Sequence, residues 1–572
     1  MGDPQVRTVP RRARLRKHSL AVLLGAAFLA GCTNAPPPPL VTTPVGSTTP
    51  VRKVDPGEVV VGVDSVAGGL NPHKVADQSA LTTALSTLLL PSVFRPAPDG
   101  TPRLDTTLMV SAEVTRAQPY TVTYQIRPEA SWADNAPIAA EDFVYLRDQL
   151  RDAPGTIGAA GYQLISNITT RDAGKIVEVT FAKPYPGWRS LFSGLVPAHL
   201  LKDAPGGWTD ALKDGYPTTG GPFAIKTLDR VRGEVVLERN DRYWEQPPPL
   251  DRIILRRADE QGVVDALRAG HDQLALMRTD SAGAALIESL GETVTTHTVP
   301  RPTVATLVVR PVGQDLAADP VRRAVVAMLD RDAVITVGTA GGPEAALRAD
   351  AQVLPPTAPG YAATVPPGPP AKPDRTLARS LLTEAGYSDA TGAWTRNGTQ
   401  LTLVIGAPEE RLAYVTMAGE VRRQLLAEGI MAKVVTAPAS ELYSTRLAAA
   451  DAGEQLNLLI APAPAGGDAA SVMATNFGCA VGSENPAPVP VSPVGTCDPT
   501  ITPTVDAALS GAIALSDALS AVEPALWRQA VSVPLYQEAD TLVIRPEMAG
   551  VRPGPPLAGP FAGAPDWRRL VG

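Results

Sequence analysis

Apolar and polar positions alternate along the chain with two different periods, and the period changes every ten to twenty residues. Val59, Val61 and Val63 read as a short, mostly buried strand, and Leu81, Leu85, Leu88 and Leu89 follow at helical spacing. Val122, Tyr124 and Ile126 alternate with Thr121, Thr123 and Gln125, a strand with one wet face, and Val177, Val179 and Phe181 repeat the signal. Val264 and Leu267 lie on a short helix closed by Gly270; a second helix runs from about Asp374 to Gly386. Strand 401–405, helix 412–428 and strand 431–436 predict a βαβ unit, and a further strand covers Leu456 to Ile460. Mixed strands and helices of this kind define the α/β class.

The first 56 residues break this pattern. Arg7, Arg11, Arg12, Arg14, Arg16 and Lys17 precede the apolar stretch Leu20 to Ala30, then Gly31 and Cys32. As a helix that stretch spans about 16 Å at ~1.5 Å per residue, roughly half a bilayer core, so residues 1–31 read as an export signal rather than a membrane span. Leu29-Ala30-Gly31-Cys32 resembles the bacterial lipobox, which implies a diacylglyceryl anchor on Cys32 and a body held on the extracytoplasmic side of the cell membrane. The export route, general secretory or twin-arginine, stays open. Residues 32–56, with four consecutive prolines at 36–39, read as an extended Pro-rich tether.

Composition narrows the function. The 572 residues carry 51 Lys and Arg against 58 Asp and Glu, a formal charge of −7, which removes the basic excess that nucleic-acid binding requires. Five scattered histidines and three cysteines exclude a structural zinc cluster, and no cofactor is expected. No nucleophile elbow, phosphate-binding loop, HExxH or GxGxxG fingerprint occurs, so an enzyme is not expected. His73 and His199 read as structural, and Glu141-Asp142 and Glu409-Glu410 as helix N-terminal acids or solvated faces. Cys479 and Cys497, 18 apart in a Pro- and Gly-rich stretch, are expected to form a disulfide, with two unpaired thiols the alternative.

Residues Thr121 to Leu146, TVTYQIRPEASWADNAPIAAEDFVYL, resemble the strand, turn and helix signature of family 5 extracytoplasmic solute-binding proteins. Asn135 stands where the family usually has Gly and tolerates the same positive φ. Leu70-Asn71-Pro72-His73, Gly220-Gly221-Pro222-Phe223, Asn240 to Trp244, Val321 to Ala324, Leu329-Asp330-Arg331, Ala385-Gly386-Tyr387 and Pro534-Leu535-Tyr536 extend the resemblance along the chain. It implies a two-lobed, type II periplasmic-binding fold with an interlobe cleft. Lobe I is then residues 57–300 plus 528–572, with an inserted subdomain at about 85–200, and lobe II is 301–527.

The resemblance is fullest to a mycobacterial lipoprotein member of the family associated with phosphatidylinositol mannosides, lipomannan and lipoarabinomannan. It implies a monomeric regulator that binds a mannolipid intermediate or an envelope biosynthetic enzyme. The alternative is a receptor delivering peptide or another solute to an ABC permease. Peptide-binding relatives place an aspartate after a lobe II strand to grip the peptide amino terminus; here Ala465 falls at about that place and Asp468 comes three residues late. The expected ligand-binding rims are Ala67, Gly68, Gly69 and Asn71 on one side and Ala465, Gly466, Gly467 and Asp468 on the other, since both follow strands and glycine permits close backbone approach.

Overall fold

The computed structural model describes residues 57–390, 392–447, 455–479 and 496–570, which belong to one compact unit. The expected signal peptide, the tether and Cys32 lie outside the described residues.

Fourteen strands carry the fold. They are β1 (Glu58–Val63), β2 (Met109–Ala117), β3 (Tyr120–Ile126), β4 (Ile165–Arg171), β5 (Ile176–Phe181), β6 (Phe223–Asp229) and β7 (Glu234–Arg239). The rest are β8 (Arg252–Arg257), β9 (Leu274–Met277), β10 (Thr295–Val309), β11 (Thr402–Pro408), β12 (Met431–Ala437), β13 (Leu458–Pro464) and β14 (Ser532–Ile544). Ten of them form one sheet in the order β12-β11-β13-β10-β14-β9-β1-β8-β7-β6, and β2-β3-β5-β4 form a separate antiparallel sheet. Strands β10 and β14 are 15 and 13 residues long, and their antiparallel pairing runs from Thr295 opposite Ile544 to Val308 opposite Ser532. Their two ends serve different lobes: β9 pairs with the Thr541–Ile544 end of β14, and β13 with the Thr303–Val309 end of β10.

The two lobes have separate apolar cores. In lobe I, Val59, Val61 and Val63 of β1 pack with Leu81, Leu85, Leu88 and Leu89 of helix α1 (Ala80–Leu89), capped by Ser79, whose Oγ accepts from Thr82 N at 3.0 Å. In lobe II, helix α3 (Leu412–Ala427) joins the parallel strands β11 and β12, and its Tyr414, Met417, Ala418, Val421 and Leu425 recur at i, i+3 and i+4 to face the sheet. Each such apolar side chain contributes about 1.5–3 kcal/mol on burial. The helix at Glu260–Ala269 ends on Gly270 at φ 75°, and the one at Arg375–Glu384 begins on an Asp374 side-chain cap.

The β2–β5 sheet has its own core around Tyr124, Trp188 and Phe192, joined on one side by helix α2 (Ala140–Asp152). The same core takes apolar faces from helices α4 (Ala469–Phe477), α5 (Thr502–Leu509) and α6 (Leu515–Gln529). Cys479 and Cys497 are joined in a disulfide just after α4, with Cα atoms 4.7 Å apart.

At the Trp132 turn, Asn135 has φ 71°. Trp132 is fully buried, and its Nε1 donates to Asp142 Oδ2 at 3.3 Å. Asp142 is not a solvated acid: it also accepts from Ala139 N at 3.1 Å and Ala198 N at 2.9 Å, and is 3 % exposed. It closes the α2 N-terminus and fixes the following segment to it.

Candidate functional site

The lobes meet where the β10–β14 pairing is interrupted. Register is lost between Pro300 and Val304, so Arg301, Pro302 and Thr303 bulge opposite the single residue Glu538 of β14. Glu538, 6 % exposed, receives Thr303 Oγ1 at 2.7 Å, Tyr414 OH at 2.9 Å and Arg411 Nη1 at 3.0 Å. Arg301 Nε lies 3.2 Å from Asp540, also in β14. From lobe II, Arg411 Nη2 donates across to the carbonyl of Gln78, next to α1 in lobe I.

Burial alone would raise the Glu538 carboxyl, but the Arg411 and Arg301 guanidiniums outweigh it and hold it at about 2. Asp540 has no such surplus of cations, and burial pushes it up to about 6. Beside them, Arg278 pairs with Glu344 at 2.7 Å, while the Arg278 amide donates to Asp64 at 3.2 Å. Burial still raises Glu344, to about 7. Among the described residues, the charged groups at this junction are thus paired with one another.

Sequence reasoning did not single out Arg301, Arg411, Glu538 or Asp540. The available signal was Gln537, Glu538 and Asp540 inside the otherwise apolar run VPLYQEADTLVI, since acids inside a buried strand require partners.

The two expected rims are each tied to their own surroundings. In the first, Ala67 N donates to Ser65 Oγ at 3.1 Å, Gly68 has φ 93°, and Gly69 leaves no room for a Cβ beside Asp77. Asn71 is 1 % exposed; its amide donates to Asp77 Oδ2 at 3.1 Å, its Oδ1 accepts from His73 N at 3.0 Å, and its Nδ2 has no partner. In the second, Ala465 N donates to Pro302 O at 2.9 Å in the β10 bulge, and Gly466 sits against Pro302 and Leu557. Gly467 has φ 88°. Asp468 caps α4, accepting from Ser471 N at 2.9 Å and Ser471 Oγ at 2.6 Å, next to Gly187 of the inserted subdomain. Among the described residues, no hydrogen bond or ion pair links one rim to the other.

His73 and His199 hold structure. His73 stacks on Trp208 with ring centroids 5.7 Å apart and its Nε2 lies 2.9 Å from Gly194 O; burial holds it near 4 and therefore neutral. His199 Nε2 is 2.8 Å from Asp134 Oδ2. Among the described residues no cluster of three metal-ligating side chains occurs, and no helix is long and apolar enough to cross a membrane.

Two lobes sharing one sheet through paired long strands, with a third core formed by the β2–β5 sheet and helices α2 and α4 to α6, define a bacterial solute-binding architecture. Residues 108–484 match the family described as bacterial extracellular solute-binding proteins, family 5, and the chain belongs to that family. Its sequence is similar to the probable monoacyl phosphatidylinositol tetramannoside-binding protein LpqW of Mycobacterium tuberculosis, at 34 % identity covering 93 % of this chain and 94 % of LpqW. The oligopeptide-binding protein OppA of the same organism is 31 % identical over a shorter part, 39 % of this chain and 40 % of OppA. Among solved structures, Bacillus subtilis AppA in complex with a nonapeptide covers 90 % of this chain and 99 % of its own at TM-score 0.70 and 15 % identity. AgaA from A. tumefaciens in complex with agropinic acid gives 0.71 at 17 % identity, with 90 % and 99 % covered. The likeness to the solved structures establishes the fold; their unrelated ligands show that the fold alone does not set the cargo.

Proposed function

We propose that this solute-binding protein is a lipid-anchored, monomeric member of the LpqW type. In this reading it acts in phosphatidylinositol mannoside, lipomannan and lipoarabinomannan assembly by binding an acylated mannolipid intermediate or a pathway enzyme. The observation that carries the reading is the similarity to LpqW along 93 % of the chain. The disposition of Asp468 supports it: one carboxylate oxygen, Oδ2, is already engaged by Ser471 N and Oγ at a helix terminus, which holds the side chain in a capping geometry rather than aimed at a ligand ammonium. An ammonium buried without a charged partner costs a few kcal/mol, enough to exclude ordinary free peptides.

The second reading, an importer receptor for peptides, is favoured by the OppA similarity over 39 % of the chain. Native mass spectrometry of protein purified from its own membranes, with calorimetry against monoacyl phosphatidylinositol tetramannoside and a peptide library, separates the two. A co-purifying mannolipid and no peptide heat are expected. Micromolar peptide binding with no mannolipid response overturns the proposal.

A further inference from the structure

A small cavity lies in lobe II at the ends of β10, β13 and α4 and the start of β14, with a volume of about 10 Å³. That is room for about one water-sized group. Thr306, Gln352, Ala465, Asn476 and Ser532 contribute to its wall, and no ionisable residue does. Gln352 is 8 % exposed. Its Nε2 donates to Ser532 O at 3.0 Å and its backbone N to Glu523, but its Oε1 is buried without any hydrogen-bond partner.

An orphaned buried amide oxygen is costly, about 1–3 kcal/mol, and it needs an N–H or O–H donor. None of the neighbouring groups donates to it, the Ser532 hydroxyl and the Asn476 amide included. Pro464 and Pro534 have no N–H, Ala465 N is committed to Pro302 O, Thr306 Oγ1 donates to Val304 O at 3.1 Å, and Asn476 Nδ2 to Pro464 O at 3.3 Å. The nearby carboxylate of Glu523 is occupied by Gln352 N, Val353 N and Thr364 Oγ1. A charged donor such as an ammonium would enter an uncharged, water-poor wall with no counterion. A neutral hydroxyl fits the size, the polarity and the missing donor together.

We propose that this cavity is a hydroxyl subsite, in which Gln352 Oε1 accepts from one O–H of a neutral polyhydroxy group, of the sugar or cyclitol class, on the bound ligand. The inference rests on the mannolipid reading above and assigns it a residue. It also makes Gln352 a specificity-determining residue, because a ligand without a hydroxyl at that place leaves the amide oxygen unpaired.

The test uses the full chain and purified monoacyl phosphatidylinositol tetramannoside in calorimetry, with Gln352→Met and Val231→Ala beside the wild type and melting temperatures recorded for all three. Gln352→Met keeps the side chain's length and removes the acceptor; an affinity loss of about tenfold is expected, corresponding to about 1.4 kcal/mol. Val231→Ala, at a fully exposed side chain between β6 and β7 that does not line the cavity, is expected to bind within about threefold of wild type. A crystal structure with the ligand keeps the test valid should Gln352→Met fold poorly: a ligand hydroxyl within hydrogen-bond distance of Oε1 supports the subsite. Water alone at Oε1 with ligand bound elsewhere, or unchanged affinity in Gln352→Met, overturns the subsite and leaves the mannolipid reading intact. No mannolipid binding by the wild type overturns both.

Discussion

Arg411 and Gln78 are 333 positions apart in sequence, yet the guanidinium of one donates to the main-chain carbonyl of the other across the lobe boundary. The same guanidinium reaches Glu538 at 3.0 Å, so one side chain ties the rim of lobe I to the strand that both lobes share. Removing one partner of a buried pair leaves the other charge without compensation, at about 3–5 kcal/mol. Arg411→Met is expected to cost that much, and Glu538→Gln combined with it less than the sum of the two single changes. Urea unfolding in a double-mutant cycle measures the coupling; strictly additive losses would refute the pairing as an energetic unit.

Two buried carboxyls give opposite pH slopes. Glu538 is held at about 2, below its ordinary 4.5, so its contribution is complete above about 4.5 and is lost as the pH falls toward 2. Asp77 is raised by burial to about 6 from 3.8, against the opposing pull of the Asn71 amide, Lys74 and Arg230 and with added repulsion from Glu410. The folded chain therefore binds this proton more tightly than the unfolded chain does, and stability falls as the pH rises from about 4 through 6, by on the order of 2 kcal/mol. Asp77→Asn retains an acceptor for the Asn71 amide and is expected to flatten that fall. Urea midpoints between pH 4 and 7 check it, and an unaltered slope would count against the assignment.

Asp142 collects three donors from three different places, Trp132, Ala139 and Ala198. Asp142→Ala leaves all three unpaired in a buried setting and is expected to destabilise by about 3 kcal/mol or more, whereas Asp142→Asn is expected to lose roughly half of that. Thermal melts of the two variants, read by near-ultraviolet circular dichroism of the Trp132 environment, decide the point. Equal losses would mean that the charge, not the acceptor geometry, matters.

A Cβ on Gly466 would stand 2.5 Å from Pro302 Cβ and 2.7 Å from Leu557 Cδ2. The proline cannot give way and the leucine tip can. Gly466→Ala is expected to cost about 1–3 kcal/mol through overpacking, with part of it recovered in the pair Gly466→Ala and Leu557→Ala. Chemical denaturation of the single and double variants measures the recovery; none would show that Pro302 alone sets the limit.

For the anchor, intact mass of native membrane-derived protein is expected to show residue 32 as the first residue carrying diacylglycerol. Cys32→Ala is expected to lose the diacylglycerol mass and to retain the uncleaved signal. An unmodified Cys32 in membrane-bound protein would refute the lipobox assignment.

Much of the fold was legible because it rests on local period. The α3 unit, the Gly270 stop and the Asp374 cap follow from spacing and end signals within a dozen residues, and the Asn135 turn from the side chain's tolerance of positive φ. The ionic cluster was not legible, because Arg301, Arg411 and Glu538 meet only through pairing of distant strands and nothing in their local sequence marks a partner. Asp142 looked like an ordinary first-turn acid; only the return of Pro197 and Ala198 to α2 makes it buried. Asp468 was read as a rim acid, and its role as the cap of α4 was visible in the Asp-x-x-Ser spacing.

The position of β14 in the sheet has a consequence for the order in which the chain can be completed. Take away residues 532–544 and the remaining nine strands of the sheet fall into two groups, β12-β11-β13-β10 on one side and β9-β1-β8-β7-β6 on the other. A polypeptide delivered amino terminus first would have both half-sheets present, each with an unpaired inner edge, until residues 532–544 emerged. Such edges recruit foreign strands. The arrival of this strand after the other nine makes the interval before it emerges the one of greatest vulnerability to aggregation, and any nascent-chain chaperone would have most to do there.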